Sequence, residues 1–161
     1  MLEIGYGINL RALATFAQNV YGDDPCDAFK LKGLDENKYD PVDELVGARM
    51  HKAIAICQFK LEGQIIKNHP EFELDNRLLL DKIDFENGTI EIKGKTYELR
   101  DKNLPTVDPA DPYRLSDEEE LLMRALEASI KRSKDLQRHI RFMFSHGSLY
   151  KVSNGNLFYH G

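Results

Sequence analysis

The chain has 161 residues, with 22 Lys plus Arg against 27 Asp plus Glu and a formal net charge of −5. That length supports one domain with a real core, and the acidic balance argues against a protein built mainly to coat nucleic acid or anionic lipid. No stretch approaches the ~20 apolar residues that a membrane span requires, and no basic region followed by an apolar run opens the chain. The two cysteines, Cys26 and Cys57, lie far apart. They form neither a Cys-x-x-Cys pair nor a disulfide framework, so buried thiols in a reducing, cytoplasmic compartment are expected.

Leu10, Leu13, Ala14, Ala17 and Val20 recur at helical spacing after Asn9, a residue suited to capping, and predict a short helix from Leu10 to about Tyr21. Gly22-Asp23-Asp24-Pro25 closes it. The stretch from Cys26 to Asp40 is charged and lacks periodicity, and reads as an ordered loop. Asp40-Pro41 is an N-cap followed by proline at the first helical position, where its fixed φ and missing amide cost nothing. The helix begun there is expected to reach Lys67, its apolar face carried by Val42, Leu45, Val46, Met50, Ala53, Ile54, Cys57, Leu61 and Ile65. Gly63 weakens it and Pro70 ends it.

A short helical turn over Asp75 to Lys82 precedes a change of period. Ile83-Asp84-Phe85, Thr89-Ile90-Glu91-Ile92 and Thr96-Tyr97-Glu98-Leu99 alternate and are separated by Asn87-Gly88 and Gly94, which supply positive φ, so a three-stranded meander is predicted at about 83–99. Pro105, Pro109 and Pro112 then impose an extended crossing. Ser116 with Glu119 three residues on is a capping box opening a helix from Asp117 to about Lys131. Ser133 caps a further helix, Lys134 to Ser145, with Gly147 as its stop. A second hairpin is predicted from Ser148 to Tyr159 around Ser153-Asn154-Gly155.

The histidines are His51, His69, His139, His146 and His160, and no two stand at the i, i+4 spacing that lets one helix face present two ligands. For the first four, a locally bonded ring is preferred over a ligand. No nucleophile elbow, P-loop or dinucleotide fingerprint is present. The acidic run Asp117 to Glu120 suits the positive end of a helix dipole better than a metal. Lys134, Arg138 and Arg141 follow i, i+4, i+7 and line one stripe, which reads either as a solvated face or as a contact for a substrate phosphate. His160 leaves the apolar strand Leu157-Phe158-Tyr159 and precedes Gly161. From the residues alone it is a strand-end imidazole, with metal ligation the less favoured reading.

Longer stretches carry a resemblance: Gly5-Tyr6-Gly7-Ile8-Asn9-Leu10-Arg11, Gln58 through Ile66, Asn76 through Asp84, and Gly147 through Gly161. Over essentially its whole length the chain resembles an internal segment of the class 3 fructose-1,6-bisphosphatases, long enzymes of the calcineurin-like metallophosphatase superfamily. The resemblance implies manganese-dependent hydrolysis of the 1-phosphate of fructose 1,6-bisphosphate, a gluconeogenic step, at a centre where two metal ions supply a hydroxide and stabilise the phosphoryl oxygens. It matches His160 to a ligand of one ion and finds no other ligand position of the pattern in this chain. The implied fold is α+β: residues 1–146 form a mainly helical accessory or cap region with the meander, and 147–161 a hairpin belonging to a larger metallophosphatase α/β sandwich. The segment alone is expected to be inactive and to self-associate through apolar surface meant for the missing sheet. The competing reading is a free-standing helical interaction or regulatory module.

Overall fold

The computed structural model describes residues 5–31 and 41–159, the side chains of 41–43 excepted. Asp40 and most of the expected 26–40 loop lie outside the described residues, as does His160. The described residues form an α+β structure with helices α1 (Arg11–Tyr21), α2 (Pro41–Asn68), α3 (Asp117–Arg132) and α4 (Lys134–His146). Strands β1 (Ile83–Asp84), β2 (Thr89–Ile92) and β3 (Lys95–Glu98) make one antiparallel sheet in sequential order, and β4 (Tyr150–Ser153) pairs with β5 (Asn156–Tyr159). The chain divides into two compact units, residues 11–124 and residues 1–10 with 125–161.

In the unit 11–124, α1 buries Leu13, Phe16, Ala17 and Tyr21, a helical stripe that packs on α2. The buried face of α2 differs from the predicted one. Ala48, Lys52, Ile56 and Lys60 follow one another every four residues and are all buried, with Ala53 and Cys57 beside them, while Ile65 is exposed. Two lysines thus occupy the core stripe, and predicted-face residues such as Met50, Ile54 and Leu61 lie at its half-buried margins.

Gly63 is a contact rather than a defect in α2. A Cβ there would overlap the Tyr113 ring, its Cγ 2.8 Å away, so only glycine lets that ring lie against the helix. Tyr113 is buried, its hydroxyl donates to Asp81 Oδ1 at 3.0 Å and accepts from the Leu80 amide at 3.1 Å, and its carbonyl accepts from Gln64 Nε2 at 2.7 Å. Those bonds tie the 3₁₀ turn Leu80–Lys82 to α2, while the neighbouring 3₁₀ turn Asp75–Arg77 meets α2 through the Arg77–Glu62 ion pair; the two replace the single predicted turn. The predicted meander follows, its register setting Ile90 opposite both Ile83 and Tyr97. At its second bend Lys93 and Gly94 both take positive φ, the backbone of a two-residue hairpin. α3 opens on the expected capping box: the Ser116 amide donates to Glu119 Oε2 at 2.8 Å and the Glu119 amide to Ser116 Oγ at 3.2 Å.

In the other unit, Ser133 Oγ accepts from the Leu136 amide to cap α4 and donates to the Tyr6 carbonyl at 2.7 Å. The Asn9 amide donates to Ser129 Oγ at 2.9 Å. Gly147 stops α4 as expected, with extended backbone (φ −77°, ψ 156°). Asn154 and Gly155 both adopt positive φ, closing the β4–β5 hairpin as an Asn-Gly turn of the type whose twist matches its strands.

Candidate functional site

The hairpin brings the chain to its strongest candidate. Its register pairs Tyr150 with Tyr159 and Val152 with Leu157, so β5 runs up to the residue preceding His160. His160 itself lies outside the described residues. The cationic stripe is placed on α4: Lys134, Arg138 and Arg141 are all exposed, and Arg138 Nη2 pairs with Asp135 Oδ1 at 3.2 Å one turn back.

Each of the other histidines has a local partner. His51 Nδ1 lies 3.3 Å from the Phe29 carbonyl oxygen, with its ring edge-on to Phe29. His69 pairs with Glu71 at 2.9 Å and stacks on Phe72. His139 meets the Tyr6 hydroxyl at 3.2 Å, and His146 stacks on Phe142 while meeting Ser145 Oγ at 2.8 Å. Among the described residues no group of three or more His, Cys, Asp or Glu side chains is arranged to hold a metal ion. The acidic start of α3 follows the same pattern: Glu120 pairs with Arg124, and Glu119 is spent on the cap and on Lys60.

What the sequence reading missed is a pair of buried ionic centres on α2. Lys52 Nζ, fully buried, donates to Asp24 Oδ2 at 2.6 Å and to both Asp101 oxygens at 2.7–2.8 Å, and it stands 5.0 Å from the Tyr21 ring centroid. Asn103 Nδ2 donates to the same Asp24 oxygen at 2.7 Å, and the Cys26 amide to Asp24 Oδ1 at 2.8 Å. Burial alone would raise the Asp24 carboxyl, but the Lys52, Cys26 and Asn103 bonds outweigh it and hold it down at about 2. Two turns further along, Lys60 Nζ donates to Glu119 Oε2 at 2.6 Å and to the Thr106 carbonyl.

These centres bind four separate segments to one helix: the exit of α1, the end of the meander, the proline-rich crossing and the start of α3. A buried ion pair adds little stability relative to well-packed apolar residues, but removing one partner strands a charge. Their chemistry is accordingly that of a lock. The thiols beside them are inert. Burial, then the Asp24 charge, pushes Cys26 up to about 11, and burial, then the Glu119 charge, pushes Cys57 up to about 12. The signal that could have found the lysines is their spacing, since positions 48, 52, 56 and 60 share one line on a helix whose neighbouring positions are apolar.

Comparison with known proteins agrees with the resemblance. The family model described as Firmicute fructose-1,6-bisphosphatase matches residues 1–161. A protein of Clostridium tetani named fructose-1,6-bisphosphatase class 3 is 58% identical over 160 residues, covering 99% of this chain and 24% of that relative. Proteins of the same name from Bacteroides thetaiotaomicron and Listeria innocua are 53% and 50% identical over 161 residues, covering 24% and 25% of their lengths. The chain therefore spans about a quarter of the length of the curated relatives it matches. No solved structure matches it. With its whole length matched by the family model and by relatives at half identity or better, the chain belongs to the Firmicute fructose-1,6-bisphosphatase family.

Proposed function

We propose that this chain is a segment of a cytoplasmic enzyme that hydrolyses the 1-phosphate of fructose 1,6-bisphosphate in gluconeogenesis, and that the segment alone is inactive. The observation that carries the reading is the continuous match to relatives of that name combined with coverage of only about a quarter of their length. In this reading residues 147–161 belong to a metallophosphatase sandwich completed by the rest of the polypeptide, and the helices and meander form an accessory layer.

The described residues do not build a manganese site. Manganese is proposed as the cofactor of the longer enzyme, with His160 as one ligand and the remaining ligands contributed by polypeptide outside residues 1–161. What the described residues do is hold the strand that leads to His160, through the paired backbone of β4 and β5 and the Asn154-Gly155 turn.

The test is phosphate release from fructose 1,6-bisphosphate with added manganese, by the longer polypeptide and by the 161-residue chain. Hydrolysis by the longer protein, abolished by His160→Ala together with a fall in bound manganese, is expected. A longer protein that hydrolyses the sugar equally well with His160→Ala removes His160 from the metal centre. For the cationic stripe, Arg138→Glu in the longer protein is expected to raise KM about tenfold with little change in kcat, the scale of one charge-assisted phosphate contact. An unchanged KM assigns the stripe to solvent.

A further inference from the structure

Paired residues of an antiparallel ladder share a face, so the β4–β5 register sorts the hairpin into two unlike sides. One side carries Tyr150, Val152, Leu157 and Tyr159, all apolar or aromatic and all exposed, with Val152 61% and Leu157 58% accessible. Tyr150, Leu157 and Tyr159 of this side border, with Leu149, a shallow groove of 420 Å³. The opposite side mixes Lys151, Ser153 and Asn156 with Phe158. Such one-sided apolarity is the pattern of a strand pair meant to be covered on one face and left wetter on the other. A two-stranded hairpin is also marginal in water without a third element packed on it, and contiguous apolar surface of this kind marks an interface.

We propose that the Tyr150, Val152, Leu157 and Tyr159 face is a docking surface for a layer of the same polypeptide lying outside residues 1–161, and not for a second copy of the protein. This rests on the reading of the chain as a segment of a longer enzyme. One observation selects that occupant: about three-quarters of the relatives' length lies outside the matched segment. A layer attached through the same chain would meet this face at a high effective concentration, which a second molecule has to match by diffusion. Docking on this face fixes the strand from which His160 emerges, so it positions His160 without touching substrate.

Thiol labelling tests the cover, because Cys26 and Cys57 are buried with raised pKa values and leave a silent background in the 161-residue chain, and the longer polypeptide without the introduced thiol supplies the background for the other arm. Val152→Cys is placed in the 161-residue chain and in the longer polypeptide, with Tyr150→Cys as a second position on the same face in case the first fails to fold. The introduced thiol is expected to label about a hundredfold more slowly in the longer polypeptide, at every protein concentration, because labelling then awaits an opening of the docked layer. Labelling as fast as in the short chain, or slowing only as concentration rises, overturns the proposal, the latter in favour of a second copy. The readout is independent of phosphatase activity, so a covered face in an inactive protein retains the docking inference and refutes only the assigned reaction.

Discussion

The two units of the chain solve the problem of a core in different ways. In residues 11–124 one helix, α2, collects a buried stripe that includes two fully buried lysines, and carboxylates from α1's exit, from the end of the meander and from α3 converge on it. In residues 1–10 and 125–161, helix α4 buries none of its residues, every residue of β4 and β5 is exposed, and Phe144 and Leu149 are 88% and 94% accessible. Interior charge is costly unless paired, so the first unit closes only when distant segments meet in register. The second buries Ile8 but leaves the apolar side chains of its hairpin and of the end of α4 exposed.

The largest effect should come from breaking the lock. Lys52→Ala leaves Asp24 and Asp101 facing each other in the interior, and a loss of about 3–5 kcal/mol is expected in denaturant unfolding, the scale of removing one partner of a buried pair. A loss below about 1 kcal/mol is the scale of a surface pair and places the site in water. Next comes Gly63→Ala, which drives a methyl group into the Tyr113 ring and should cost about 1–3 kcal/mol, with much of that loss relieved when combined with Tyr113→Leu.

Acid provides a third way to break the contrast. The Asp24 carboxyl is held at about 2 in the folded chain against an ordinary value of 3.8, so its contribution is fully present above pH 4 and is lost as pH falls from about 4 to 2. That shift corresponds to about 2 kcal/mol. Lys52→Met, which removes the cation, should flatten this limb of the stability profile. The smallest effect belongs to the other unit: Leu157→Lys in the 161-residue chain should change stability by less than about 0.5 kcal/mol, since an exposed side chain loses little contact.

How much of this was legible beforehand follows from how local each feature is. The end of α2, the Ser116–Glu119 box, the Ser133 cap and both hairpins depend on residues within a few positions of one another, and they stand as read. The buried lysines escaped because a helical lysine ordinarily signals solvent and the carboxylates that keep Lys52 inside lie 28 and 49 residues away along the chain. Gly63 was read as a weakness for a similar reason, its partner Tyr113 belonging to a distant crossing. Gly147 ends α4 as read, with an extended backbone. His160 drew its assignment from the family resemblance, because neighbouring residues give a lone imidazole no distinguishing pattern.

Backbone hydrogen exchange of the 161-residue chain at low concentration tests the contrast between the units most directly. The slowest amides are expected in α2 around Lys52 to Lys60, exchanging only with global unfolding, and the fastest ladder amides in β4 and β5. Strand amides from Tyr150 to Tyr159 as slow as those of α2 would contradict that contrast, because the hairpin would then be completed by the chain itself.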